Sequence, residues 1–252
     1  MVLQTNFPLD LSMDLFTPEN LFGEFYPTVL NLLVEHSPFP GGQGNLFSRT
    51  AKLRAARIHL QETVFFAQVA FRELNPQKSV EVCAGIGIPS ITLKKLFNVD
   101  SICVDRDSRK TSIGKVISEK IGIELIWEEK DLFLFLRQNA PYLKGATLLA
   151  TAAYCHDKKK GKPKGSGEKD LVYFAKNHQM DLALFPYRTR DIISRGFSSE
   201  KQRVDEYQKI LTEAGYQVKI HSTRSIFQGQ NAPDWFFVNF LTAKSPNSEA
   251  KN

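Results

Sequence analysis

The chain reads as an α/β domain built on a seven-stranded, mostly parallel sheet that ends in an antiparallel hairpin, preceded by an N-terminal helical segment. Three observations predict it. From Ser79 onward, short apolar runs alternate with helical stretches, which implies parallel strands joined by right-handed crossovers. One run, Val80-Glu81-Val82, empties into Cys83-Ala84-Gly85-Ile86-Gly87 and then a helical pattern from Ser90, the strand–turn–helix unit of such sheets. Only residues 223–233 separate the last two runs, too short for a helical crossover, so those strands pair antiparallel.

The elements follow in order. Thr17-Pro18-Glu19-Asn20 supplies a threonine cap, a proline at the first helical position and an acid behind it. Leu21, Phe22, Phe25, Val29, Leu30 and Leu33 suit one helix face, with Pro27 expected to kink or interrupt it. A long helix runs from Arg49 to Leu74, with Leu53, Ala56, Leu60, Val64, Ala67 and Phe71 at helical spacing and Asn75-Pro76 as its stop. Its first turns carry Arg49, Lys52, Arg54 and Arg57, read as a solvated face. Residues 1–75 hold too little core of their own to stand alone and read as a helical cover on the domain 76–244. Strands are expected near 79–83, 101–105, 123–127, 145–151, 180–185, 216–222 and 234–243. Helices are expected near 90–97, 108–121, 131–139, 167–177 and 198–214. The polar tail 245–252 reads as disordered.

Composition narrows the class. The balance of 33 Lys and Arg against 27 Asp and Glu leaves a net charge of +6, which favours an anionic partner. Cys83, Cys103 and Cys155 form no C-x-x-C pair, so zinc and disulfide frameworks are not expected and no metal is implied. The first residues show no basic region leading into an apolar core, and no apolar run is long enough for a bilayer. A cytoplasmic setting without membrane contact is the expectation.

The turn after the first strand carries the chemistry. Gly85 and Gly87 let the backbone approach a ligand closely, and the following helix presents free N–H groups to it. Asp105 ends the next run, Ser101-Ile102-Cys103-Val104, about 20 residues past the glycines, where a ribose-binding carboxylate belongs. The dinucleotide fingerprint G-x-G-x-x-G lacks its third glycine here, since Ser90 takes that place. The stretch more closely resembles motif I of the class I S-adenosylmethionine (SAM) dependent methyltransferases, an acid in the strand followed by a small-residue loop with G-x-G. Glu81 matches the acid, Gly85 and Gly87 the glycines; Cys83 stands where that family has its first glycine. The resemblance covers about 79–244 and implies a Rossmann-like fold and SAM as cofactor.

Other roles follow from the resemblance by position. Glu81 would receive the SAM amino group, directly or through water, with Cys83, Ala84, Gly85 and Gly87 around the methionine part. Asp105, followed by Arg106, would take the ribose hydroxyls, since a carboxylate offers two acceptor oxygens. Asp107 is the better cap for the next helix. After the third strand, Asp131 would meet the adenine amino group and Leu132 its ring, with Glu128 and Glu129 as nearby competitors.

The fourth strand ends Thr151-Ala152-Ala153-Tyr154-Cys155-His156. Amino-methylating members of the family carry an acid or Asn here, then two residues that are often prolines, then an aromatic; Thr151 offers only a hydroxyl. Tyr154 could stack on a flat acceptor or close the strand, and His156 could act as a general base or sit in solvent. The following Lys158-Lys159-Lys160-Gly161-Lys162-Pro163-Lys164 reads as a mobile charged loop. Arg188, Arg190 and Arg224 leave other strands on the same edge, with Tyr187 and Trp235 nearby. A basic mouth with aromatics suits phosphate contacts and base stacking, which makes RNA the leading acceptor. Gly42–Phe47 is also faintly similar to the entry motif of the rRNA adenine dimethyltransferases. A small anionic metabolite or a protein side chain remains open as acceptor. An NAD-dependent oxidoreductase and a non-catalytic SAM-binding module are the rivals from other classes.

Overall fold

The computed structural model describes residues 17–36, 48–151, 154–156, 163–186, 200–227 and 238–248. Its strands are β1 (Lys78–Val82), β2 (Asp100–Val104), β3 (Ile126–Glu128), β4 (Thr147–Thr151), β5 (Tyr154–His156), β6 (Pro163–Ser166), β7 (Leu182–Phe185), β8 (Gln217–Ser222) and β9 (Asn239–Lys244). Seven of them form one sheet in the order β3-β2-β1-β4-β7-β9-β8. β3, β2, β1, β4 and β7 run parallel, and β9 is antiparallel to both β7 and β8. The expected sheet with its closing antiparallel pair is therefore present.

The helices are α1 (Pro18–Phe22), α2 (Tyr26–His36), α3 (Arg49–Leu74), α4 (Ile88–Phe97), α5 (Ser108–Lys120), α6 (Leu132–Asn139), α7 (Glu168–His178) and α8 (Glu200–Glu213). Strand side chains alternate between the two faces. Val80, Val82, Leu148, Ala150, Leu182 and Leu184 face a core shared with α6, α7 and α8. On the other face, Leu149, Ala183, Phe185 and Phe240 meet Phe66 and Ala70 of α3 and Leu93 of α4.

The N-terminal helices pack on α3 and the glycine turn. Leu21, Phe22, Val29, Leu30 and Leu33 share one core with Ala56, Leu60 and Val64 of α3. That same core takes in Ile86 and Ile88 of the glycine turn, so the cover grips the turn itself. The break between α1 and α2 differs in position from the expected one. It falls at Gly23, whose φ of +53° suits glycine, and a 3-10 turn follows over Gly23–Phe25. Pro27 sits in the first turn of α2, where its missing N–H costs no hydrogen bond.

Two further departures stand out. The segment expected as a mobile loop contains an antiparallel pair, β5 with β6. Lys164 thus lies in β6, paired with β5; residues 157–162 lie outside the described structure. The tail also differs near its start: Ser245 is buried and donates its N–H to Asp181 Oδ1 at 2.7 Å.

Phe66 fixes α3 to the sheet. It is fully buried and meets Phe185 and Phe240 edge-on at 5.6 and 5.5 Å between ring centres. Phe66→Ala should lower unfolding free energy by about 3–5 kcal/mol in urea titrations. A loss under about 1 kcal/mol would mean that α3 is only loosely attached.

Candidate cofactor site

The site lies at the carboxyl edge of β1 and β2. The chain leaves β1 at Cys83, which adopts φ +54°, then turns through Gly85 at +56° and Gly87 at +73°. The position held by glycine in the methyltransferase motif is thus left-handed here too, and Cys83 adopts it against its Cβ. The turn closes tightly, with Gly87 N donating to Ala84 O at 2.7 Å. At Gly85 the space is open. A Cβ built there would meet only Lys110 Cδ, at 3.8 Å.

Two carboxylates hold this turn. Asp105 accepts from Gly85 N at 2.8 Å through Oδ2 and from Asp107 N at 2.8 Å through Oδ1. Its half-buried carboxylate therefore ties the end of β2 to the glycine turn. Glu81 is fully buried and accepts from Ser90 N at 2.8 Å through Oε2. Gly87 occupies the N-cap of α4 and brings no side chain. Glu81, from the neighbouring strand, takes over that capping role, and its charge suits the positive end of the helix. Its other oxygen, Oε1, is buried with no hydrogen-bond partner among the described residues.

Burial raises the Glu81 pKa to about 7; the Ser90 hydroxyl and amide pull it down, and the Asp105 charge pushes it up. Cys103 faces Glu81 across the β1–β2 pair, and burial, then the Glu81 charge, pushes its thiol well above the usual range.

Those of the remaining expected residues that the structure describes fall at the same edge. Arg106 is exposed just beyond Asp105. Asp107 caps α5 as expected, accepting from Arg109 N. Asp131 caps α6, its Oδ1 accepting from Phe133 N at 3.0 Å and Leu134 N at 3.1 Å. Its competitors are engaged elsewhere: Glu128 pairs with Lys130 at 2.8 Å, and Glu129 accepts from Thr111 and Lys115. Leu132 is largely buried and joins the core beside Val82 and Val104. Thr151 ends β4 half-buried. Tyr154 and His156 open and close β5, but their side chains lie outside the described structure. Tyr187, Arg188, Arg190, Trp235 and the Gly42–Phe47 stretch lie outside it as well.

One residue escaped the sequence reading. Trp127 of β3 wedges between α4 and α5. A Cβ at Gly87 would lie 2.7 Å from its ring, and one at Gly114 only 2.1 Å. The indole braces the start of α4 against α5, and Gly114 makes room for it. An isolated glycine inside the α5 pattern was the available signal, since it costs helix stability unless packing requires it.

No protein-family model matches the chain, and no curated protein matches it by sequence. Among solved structures it is similar to the O-methyltransferase from Bacillus cereus in complex with SAH. The two are 9% identical, with 73% of this chain and 80% of that one covered and a TM-score of 0.52. It is also similar to the cofactor-bound Rv0187 from MTB, 12% identical, with 86% and 87% covered and a TM-score of 0.50. At such identities the likeness establishes architecture: the chain has the class I SAM-dependent methyltransferase fold.

The raised Glu81 pKa has a signed consequence. The unfolded carboxyl titrates near 4.5 and the folded one near 7, so the unfolded state gains from ionisation first. The contribution to stability is full below about pH 4.5 and is lost as pH rises to about 7, then stays flat. In Glu81→Gln that loss is absent. Between pH 4.5 and 7 the stability difference should move in the variant's favour by about 3 kcal/mol, measured by urea unfolding at each pH. A pH-independent difference would place the Glu81 pKa near its ordinary value.

Proposed function

We propose that the protein is a SAM-dependent methyltransferase acting on an anionic acceptor, with RNA the leading candidate. The observation that carries the cofactor reading is the glycine turn held between Glu81 and Asp105. Three features fit SAM. The open space at Gly85 admits close approach by a ligand. A half-buried carboxylate stands at the end of β2. A buried acidic oxygen, Glu81 Oε1, has no partner among the described residues and suits an ammonium group or a water linked to one. Cys83, Ala84 and Gly87 would border the methionine part, Asp105 and Arg106 the ribose, and Asp131 and Leu132 the adenine, with Thr151 at the border between cofactor and acceptor.

The sheet order weighs against the NAD-dependent alternative. Dinucleotide enzymes of this type use the order 3-2-1-4-5-6. Here an antiparallel strand, β9, is inserted between β7 and β8. The third glycine of the dinucleotide fingerprint is also missing.

When bound, SAM supplies an electrophilic methyl group on a sulfonium. The work left to this chain is to orient an acceptor over β4 and β7, exclude water and, where the acceptor atom needs it, take a proton. Tyr154 for stacking and His156 for the proton are the residues we assign, since both follow β4. RNA is supported by the net charge of +6 and by the four lysines within 157–162, between β5 and β6. No helix among the described residues is long and apolar enough to cross a membrane. We assign the protein to the cytoplasm on its cysteine usage.

Isothermal titration should show S-adenosylhomocysteine binding in the micromolar range, about −8 kcal/mol, and no NAD binding. Asp105→Ala removes the acceptor for Gly85 N as well as the ribose ligand. Each charge-assisted hydrogen bond removed costs about 1.5–3 kcal/mol, so affinity should fall at least tenfold with the fold retained. Saturable NAD binding without a response to S-adenosylhomocysteine would overturn the cofactor reading.

A further inference from the structure

We propose that the first turns of α3, bearing Arg49, Lys52, Arg54 and Arg57, form a rigid arm that binds the phosphate backbone of a single-stranded nucleic acid at the mouth of the active site. The proposal rests on the RNA reading above and names the surface that would receive the strand.

Position is the first argument. α3 has 26 residues and is about 39 Å long, whereas β1 has five and spans about 17 Å. The helix ends beside the amino edge of the sheet, because Leu74 leads through three residues into β1. Phe66 touches Phe185, the last residue of β7, and Phe240, near the start of the antiparallel β9. Both mark the carboxyl edge. Ahead of Phe66, Ala56, Leu60 and Val64 share a core with Ile86 and Ile88 of the glycine turn, so the first turns of α3 stand at that edge beside the turn. At 100° per residue, Lys52 lies within about 40° of Phe66 around the helix, so it shares the face turned toward β7 and β9. Arg49, Arg54 and Arg57 lie about 100° or more from Phe66 around the helix, so the cations flank the face by which Ala56 and Leu60 meet the glycine turn.

Rigidity is the second. An overhanging helix would fray unless supported. Here Ala56 and Leu60 are fully buried against α1 and α2, and Ser48 caps the first turn by accepting from Ala51 N at 3.2 Å. The cations thus stand on a fixed scaffold.

Charge is the third. Residues 49–57 carry four cations and no acid. None of the four makes an ion pair among the described residues; Glu19 and Arg57 both act on the Tyr26 hydroxyl. Cations in the first turns of a helix also face the positive end of its dipole. The arrangement opposes helix stability and is unrelieved by ion pairs among the described residues, as expected of a surface kept for an external anion. Arg224, in the 3-10 turn that follows β8, adds a cation at the same edge, where that turn packs against α3.

The test is fluorescence anisotropy of a fluorescein-labelled 20-nucleotide single-stranded RNA from 50 to 300 mM KCl. Wild type is compared with a variant carrying Arg49→Gln, Lys52→Gln, Arg54→Gln and Arg57→Gln. Glutamine keeps helix propensity, and unchanged S-adenosylhomocysteine binding by calorimetry confirms an intact fold. A Lys52→Ala, Arg54→Ala double variant provides a second, milder case. The log–log salt slope should flatten by about 0.7 for each phosphate that the variant no longer neutralises, up to about 3 for the quadruple variant, with affinity down at least tenfold at 100 mM. Equal slopes and affinities would remove the arm while leaving RNA as acceptor. Absence of RNA binding by wild type would overturn both the arm and the RNA reading, with the cofactor result unaffected.

Discussion

The glycine turn stands on one hydrogen bond, from Ser90 N–H to the buried carboxylate of Glu81. Burying a carboxylate is costly, and the rise of its pKa to about 7 expresses that cost. The start of α4 offsets part of it, because the Ser90 N–H and the positive end of the helix both favour the charge. α4 in turn lacks a side-chain cap at Gly87 and takes its cap from β1. Strand and helix are thus locked at the point where the chain must turn most sharply. Asp105 adds the second lock, joining Gly85 N–H to the end of β2.

Around these polar locks the packing is apolar. Ile86 and Ile88 anchor the turn in the core of the N-terminal helices. Trp127 braces Gly87 from the side of β3. The N-terminal cover therefore completes the site's support and does more than shield the sheet. The same logic recurs along the carboxyl edge, where Asp107 caps α5 and Asp131 caps α6. One carboxylate at each of three successive crossovers fixes a helix N-terminus above the strand ends. A ligand lying there meets surfaces already positioned by the fold.

The sequence carried most of the architecture because its signals were local. Strand–glycine–helix punctuation, the Asn75 stop and the short 223–233 connection each act within a few residues. What escaped it depended on tertiary partners. Trp127 looked like any strand aromatic, and its meaning comes from two glycines on separate helices. The β5–β6 hairpin was hidden by lysines, which favour neither strand nor loop strongly. Asp105 stood out in the sequence as the acid ending the second strand, but its bond to Gly85 N–H required the sheet to bring positions 20 apart together. The interruption between α1 and α2 followed Gly23 rather than Pro27, since proline in a first turn continues a helix readily.

The sheet divides the molecule's tasks along its carboxyl edge. Over β1, β2 and β3 the edge is carboxylate-rich, with Glu81, Asp105, Asp107, Glu128, Glu129 and Asp131 within one stretch of chain. Over β7, β9 and β8 the described charge is mixed: Arg224 and the first turns of α3 are cationic, while Asp205 and Glu206 of α8 pair with Lys201 and Lys169. In the first half the buried Glu81 contributes least charge, because burial keeps it partly protonated near neutral pH. The exposed acids Glu129 and Asp131 contribute most. The N-terminal helices contribute to both halves, since α1 and α2 join the core that holds the first turns of α3 against the glycine turn.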